Sequence, residues 1–276
     1  MTPRRWLFIA AILLLPTWVE ASFEDLPVGA RPGGMGGACV AVADDANLLF
    51  LNPGGLGQIS NWQFGGFYAQ PFGMKELAYQ MFSWLKQFSW GGLGIGFQHY
   101  GYELYREQTL AVGWGNCYRQ KFHFGVAVYT YQLNIKNYGS AITWGIQQGF
   151  VLRLQPNLNL GFVAKNLNRP RISKNKELLP QIWCTGIAIR PTAHLLLAFD
   201  LYKDINFPLE TRLGAEWHWG RFLVLRSGFC FIPARWTFGG GLKIGSFTLD
   251  YAMCTHAVLG LTHQFSFTLS AKGKKQ

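Results

Sequence analysis

At 276 residues the chain carries only 14% charged residues, against the roughly 25% of an ordinary soluble protein, together with 16% aromatics and 33 glycines. Mean hydropathy is near neutral at +0.09, and beyond the N-terminus no apolar run approaches the roughly 20 residues a membrane-crossing helix needs, which excludes a helical membrane protein. The net charge of +11 does not indicate nucleic acid, because the basic residues are scattered rather than gathered in a stripe and because a signal for export precedes them.

That signal opens the chain. Arg4 and Arg5 precede the apolar run 6–15, then Pro16 and an exit through Val19, Glu20 and Ala21. This pattern predicts a Sec signal peptide over 1–21, cleaved after Ala21 to leave a mature chain from Ser22. No cysteine stands just after the cleavage point, so a lipoprotein anchor is not expected.

Residues 22–60 do not alternate. Gly33, Gly34, Gly36 and Gly37 allow sharp turns and close packing, Asp44 or Asp45 is placed to cap a short helix running through Leu51, and Asn52-Pro53 stops it. Val40, Val42, Leu48, Leu49, Phe50 and Leu51 are too apolar to leave in water, so the segment is expected to fill the interior of the region C-terminal to it.

From Trp62 onward the chain breaks into short alternating segments separated by turn residues. Fourteen strands are predicted, near 62–70, 76–86, 90–101, 105–117, 121–134, 140–154, 157–167, 181–191, 193–203, 207–219, 221–231, 235–244, 246–255 and 261–271. Tight connections alternate with mostly longer ones, as in bacterial outer-membrane barrels. Side-chain parity sharpens the reading. Leu213, Ala215, Trp217 and Trp219 share one face, and Arg212, Gly214, Glu216 and His218 the other; Phe247, Leu249, Tyr251 and Met253 oppose Thr248, Asp250 and Ala252. Arg190, Asp200, Arg226 and Lys243 likewise travel with glycine or alanine. A charge on the lipid face at the bilayer midplane costs about 2–4 kcal/mol for Arg or Lys, so these charges are expected in the lumen. The expected fold is all-β: a transmembrane antiparallel barrel of about fourteen strands over 61–271, with a glycine-rich plug over 22–60 and a basic tail over 272–276, exported to the bacterial outer membrane.

The run 29–56, with GMGGA at 34–38, ADDA at 43–46 and Asn52-Pro53, resembles the N-terminal signature of PorV/PorQ-like outer-membrane barrels and, more distantly, the hatch of the wider FadL-type transporter group. KNL at 165–167, Leu179-Pro180, Gly186, Asp200-Leu201, LGAE at 213–216, RSG at 226–228, Asp250-Tyr251, LGLTH at 259–263 and FSF at 265–267 come in the same order. Two features depart from the pattern: Gly54 stands where alanine is common, and the chain ends on a basic tail rather than an aromatic residue. The FadL likeness implies uptake of hydrophobic molecules through a hatch-gated lumen with a lateral opening in the wall. The PorV likeness implies docking with cargo or other components of type IX protein secretion.

Six dispersed histidines, five widely spaced cysteines without C-x-x-C, and the lack of G-x-S-x-G, P-loop or H-E-x-x-H patterns give no basis for an enzyme, a metal site or a bound cofactor. At most one cysteine pair is expected. The functional positions are therefore the plug residues Gly34, Gly36, Gly37, Asp44, Asp45, Asn52 and Pro53, and the lumen charges Arg190, Asp200, Arg212, Glu216, Arg226, Lys243 and Asp250. Those charges could equally serve wall-to-wall pairing. The expected partners are outer-membrane lipid, lipopolysaccharide against a basic surface loop at 169–176, the barrel-assembly machinery, and either a hydrophobic ligand or secretion-system proteins. A soluble all-β binding protein is the remaining alternative.

Overall fold

The computed structural model describes residues 22–26, 28–173 and 177–271; the predicted signal peptide and basic tail lie outside the described residues. Fourteen strands form one closed antiparallel sheet: β1 (Trp62–Gln70), β2 (Tyr79–Phe88), β3 (Gly91–Gly101), β4 (Tyr105–Tyr118), β5 (Phe122–Ile135), β6 (Gly139–Gln155), β7 (Leu158–Lys165), β10 (Ile182–Ile189), β11 (Leu195–Asp204), β12 (Glu210–Trp219), β13 (Leu223–Cys230), β14 (Arg235–Ile244), β15 (Phe247–His256) and β16 (Gly260–Ser270). A two-stranded ribbon, β8 (Arg171–Ile172) with β9 (Glu177–Leu178), stands apart in the β7–β10 connection. Closure comes from β1 against β16, in register from Gln63 opposite Ser270 to Gln70 opposite His263. Each predicted strand has its counterpart, and β1 and β14 coincide with the expected 62–70 and 235–244.

Closure follows from the solvent. A bilayer core offers no water to an unpaired N–H or C=O, so a spanning sheet must leave no edge. The outer surface is apolar: Leu213, Trp217, Phe247, Leu249, Phe265 and Leu269 are exposed, while their strand neighbours Gly214, Glu216, Asp250, Ala252, Gln264 and Ser266 are buried. No helix among the described residues is long and apolar enough to cross a membrane; the strands are the crossing elements. The β2–β3 and β3–β4 ladders run unbroken, and among the described strands the register shift lies between Arg153 and Gln155, beside the β6–β7 turn. On the β7 side the β6 ladder starts only at Gln148 opposite Ala164, so residues 139–147 of β6 extend beyond it.

Residues 28–58 lie inside the barrel. A helix α1 (Ala30–Gly34), a single turn α2 (Leu48–Leu51) and a 3-10 helix over Pro53–Gln58 pack on the inner faces of β3 to β6 and β13 to β16. Leu48, Leu49, Phe50 and Leu56 are almost wholly buried with Met81, Leu85 and Tyr129 of the wall, as their apolarity requires. The cap differs in detail from expectation. Asn47, not an aspartate, occupies the N-cap of α2, and Asp45 works just before it, its Oδ1 accepting from the Asn47 amide at 2.9 Å.

In the loop at 169–176, as far as its described residues extend, Arg169 and Arg171 are exposed and Ile172 is buried. Two residues per strand are too few to leave an alternating pattern, yet β8 and β9 fold inward. Ile172 and Leu179 bury against Leu133, with Tyr105, Tyr131 and Phe23 at the edge of the same cluster, while Arg171 stays exposed.

Candidate functional site: the barrel lumen

The lumen has two chemically different levels. The level nearer the tight turns is ionic. Glu216 on β12 is 2% exposed and accepts from Arg31 Nε at 2.8 Å, Arg31 Nη2 at 3.0 Å and Arg226 Nε at 2.7 Å. Arg226 Nη1 then reaches Asp250 Oδ1 at 2.7 Å, and Arg31 Nη1 reaches Asp44 at 2.5 Å and Asp45 at 3.5 Å. Arg190 closes the chain on Asp44 at 3.3 Å. Burial works against the Arg31 charge, but Asp44, Glu216 and Asp45 more than offset it and hold the guanidinium well above its usual pKa. For Asp45, burial outweighs Arg31 and raises the carboxyl above its usual range. A vestibule of about 400 Å³ opens beside this network, and Lys243 and His218 line it.

Between the levels the inner segment is held by backbone contacts. Asp200 Oδ2 accepts from the Cys39 and Val40 amides at 2.8 and 2.9 Å. Asn52, fully buried, donates to the Val40 carbonyl at 2.7 Å and the Phe150 carbonyl at 3.2 Å and accepts from the Gly54 amide at 3.0 Å. Thr237 Oγ1 accepts from the Gly36 amide at 2.9 Å and donates to the Gly34 carbonyl at 3.1 Å. Pro53 begins the 3-10 turn, and its carbonyl sits where a side chain at Gly125 would have to be. Gly36 and Gly37 have φ of +65° and +79°, a turn that side chains resist, and a Cβ on Gly36 would lie 2.8 Å from the Leu213 carbonyl oxygen. The wall is glycine where the segment touches it: a Cβ on Gly94 would meet Leu56 and Leu85 at 2.9 Å, and one on Gly228 would strike the Gly36 nitrogen.

At the opposite end, where the longer connections lie, the lumen turns aromatic. Phe23, Phe50, Tyr79, Tyr100, Tyr129 and Tyr131, with the charged groups of Glu24, Asp25, Glu107 and Lys165 among them, surround a cavity of about 100 Å³ beneath residues 23–26. Tyr129 donates to the Leu49 carbonyl at 2.6 Å and Tyr131 to Asn166 Oδ1 at 2.9 Å, which anchors the rings. Two cavities of about 290 Å³ flank the same stretch, one beside Phe72 and His256 and one beside Tyr202 and Arg212. Lys165 pairs with Asp25 at 2.6 Å; Arg212 pairs with Glu210 at 3.0 Å and stacks on the Tyr202 ring, its guanidinium carbon 3.7 Å from the centroid.

The predicted set thus divides. Arg190, Glu216, Arg226, Asp250 and Asp44 with Asp45 meet in one network, Lys243 stands at its mouth, Asp200 with Asn52 and the glycines holds the segment, and Arg212 belongs to the aromatic end. Sequence reading missed Arg31, which ties segment to wall, and the tyrosine set. Tyr129 and Tyr131 share parity with Gly125 and Ala127, a signal strong enough to have placed them inward. All five cysteines are free thiols.

No family model and no curated protein matches this chain. Solved structures do. A ΔS2 mutant of the monoaromatic hydrocarbon channel TodX superposes with a TM-score of 0.69 at 12% identity, over 91% of this chain and 100% of that one. The Ralstonia pickettii toluene transporter TbuX gives 0.62 at 13% identity, over 87% and 96%, and a Pseudomonas aeruginosa FadL homologue 0.60 at 11%, over 87% and 97%. With its apolar outer face and closed ladder, the chain is an outer-membrane β-barrel that shares its fold with the FadL-type hydrocarbon channels.

Proposed function

We propose that the barrel is a passive channel for small hydrophobic molecules, with the segment over 28–58 as its hatch and the aromatic chamber as the site where such molecules first lodge. The observation that carries this reading is the asymmetry of the lumen: six rings gather at one end, and the other has a largely ionic lining without Phe, Tyr or Trp. Aromatic faces receive an apolar or aromatic guest, and the charged level beyond gives it little to hold, so passage runs from capture to release. The chamber of about 100 Å³ is smaller than the roughly 150 Å³ cavity that admits benzene, so residues 22–26 must shift for a ring to enter. The fold shared with hydrocarbon channels agrees with this reading.

The test is mass spectrometry, for small molecules and for proteins, on the barrel purified from its native outer membrane in mild detergent. A stoichiometric apolar compound without a protein partner is the expected result. A reproducible protein partner with an empty lumen would instead assign the docking role implied by the PorV/PorQ-like resemblance. The hatch is tested separately by deleting 31–56, which should raise conductance in planar bilayers; a folded deletion variant with unchanged conductance removes the hatch from the proposal.

A further inference from the structure

The chain enters the lumen from the end opposite the ionic network. Ser22 is buried, its backbone nitrogen 3.3 Å from Glu177 Oε1, and the Phe23 amide donates to Glu107 Oε1 at 2.8 Å. Glu107 is itself buried and accepts from the Tyr105 hydroxyl at 2.5 Å; among the described residues no basic side chain forms an ion pair with it. Two carboxylates therefore converge on the first two backbone nitrogens of the predicted mature chain. Either amide would be satisfied by a neutral acceptor, but two neighbouring carboxylates also supply negative charge, and a buried ammonium at this point is stable only with opposite charge and hydrogen bonds around it.

We infer that cleavage between Ala21 and Ser22 creates a structural cation, the Ser22 α-ammonium, which seats on Glu177 while Glu107 holds the adjoining Phe23 amide, and which fixes the inner segment at the aromatic end of the barrel. In that hydrolysis the Ala21–Ser22 peptide bond breaks, and water delivers its hydroxyl to the Ala21 carbonyl carbon and a proton to the Ser22 nitrogen. The free amine, with an ordinary pKa of about 7.7–8.0, then takes a second proton from solvent and becomes the ammonium. Ser22 lies near the connections β3–β4 and β7–β10, at the mouth of the lumen opposite the ionic network. A fixed end here also explains why residues 23–26 can cover the aromatic chamber: Phe23 stacks edge-on against Tyr131 with centroids 5.0 Å apart, and Asp25 is held by Lys165.

This inference is independent of what the lumen carries, and its test does not read transport. The protein assembled in outer membranes is treated with formaldehyde and cyanoborohydride at pH 7, and methylation of the Ser22 amine is followed by peptide mass spectrometry in the wild type and in the Glu107→Gln, Glu177→Gln double variant. The expected result is a mature chain starting at Ser22 whose α-amine reacts about tenfold more slowly in the wild type than in the double variant, the factor that one charge-assisted hydrogen bond supplies. Heat-modifiable migration on gels establishes that both barrels are folded; if the double variant fails to fold, Glu177→Gln alone, whose residue lies in the short ribbon outside the barrel wall, carries the comparison. A mature chain starting at another residue, or equal labelling rates in folded proteins, overturns the inference.

Discussion

Replacing Glu216 by glutamine should release the inner segment. The carboxylate is 2% exposed and receives three hydrogen bonds from arginines, two from Arg31 of the segment and one from Arg226 of the wall, with His218 Nε2 a further contact at 3.1 Å from Oε1. A carboxamide keeps one acceptor oxygen and turns an N–H toward a guanidinium, so one charge disappears where two arginines remain. Removing one partner of a buried ion pair costs about 3–5 kcal/mol. Here each arginine retains another carboxylate, Arg31 through Asp44 and Arg226 through Asp250, which puts the cost at the lower end, about 3 kcal/mol. At 1.4 kcal/mol per decade, that shifts the ratio of seated to released segment by roughly 100-fold. Cys39 reports the change. It is buried inside the barrel, and burial pushes its thiol well above the usual pKa, so it should resist maleimide while the segment is seated. With the other four cysteines replaced by serine, the Glu216→Gln protein should label at Cys39 about 100-fold faster than its parent. An unchanged rate in a barrel whose circular dichroism and heat-modifiable migration are intact would refute the claim that this network holds the segment.

Three further outcomes are expected from the same geometry. Gly228→Ala should destabilise the barrel by about 1–3 kcal/mol in urea titrations in detergent, because the new methyl strikes the Gly36 nitrogen, whereas Gly240→Ala, whose nearest neighbour would be 3.8 Å away, should be silent. Asp200→Ala strands the buried Cys39 and Val40 amides at about 1–3 kcal/mol each, while Asp200→Asn retains an acceptor oxygen and should cost distinctly less in the same titration. Leu213→Arg places a charge on the lipid face and should cost about 2–4 kcal/mol if it lies at the bilayer midplane, measured by reversible unfolding from vesicles; a neutral result would contradict the assignment of that face.

Much of this molecule is legible in one dimension. A strand has a period of two, so every residue of a barrel wall declares its side by parity, and the sorting of Arg212, Glu216, Arg226 and Asp250 from Leu213, Trp217, Leu225 and Tyr251 needs no partner strand to be seen. The strand count and the inward course of 28–58 rest on the same period and on apolar residues that water would not tolerate. Three things lay beyond it. Which acid meets which base depends on strand stagger and on where the segment rests: Glu216 to Arg31 spans 185 positions and Asp200 to Cys39 spans 161, and no local pattern encodes such pairings. The glycines of the wall look alike in sequence, yet Gly228 admits the Gly36 turn while Gly240 has nothing closer than 3.8 Å, a difference set only by what packs behind each. The ribbon β8–β9 is too short for any periodicity, and its inward fold is decided by Ile172 and Leu179 finding Leu133. Sequence determined the wall, because alternation is local; tertiary structure alone decided the lumen, because its contacts join one segment to strands from both halves of the barrel, at a stagger that only closure fixes.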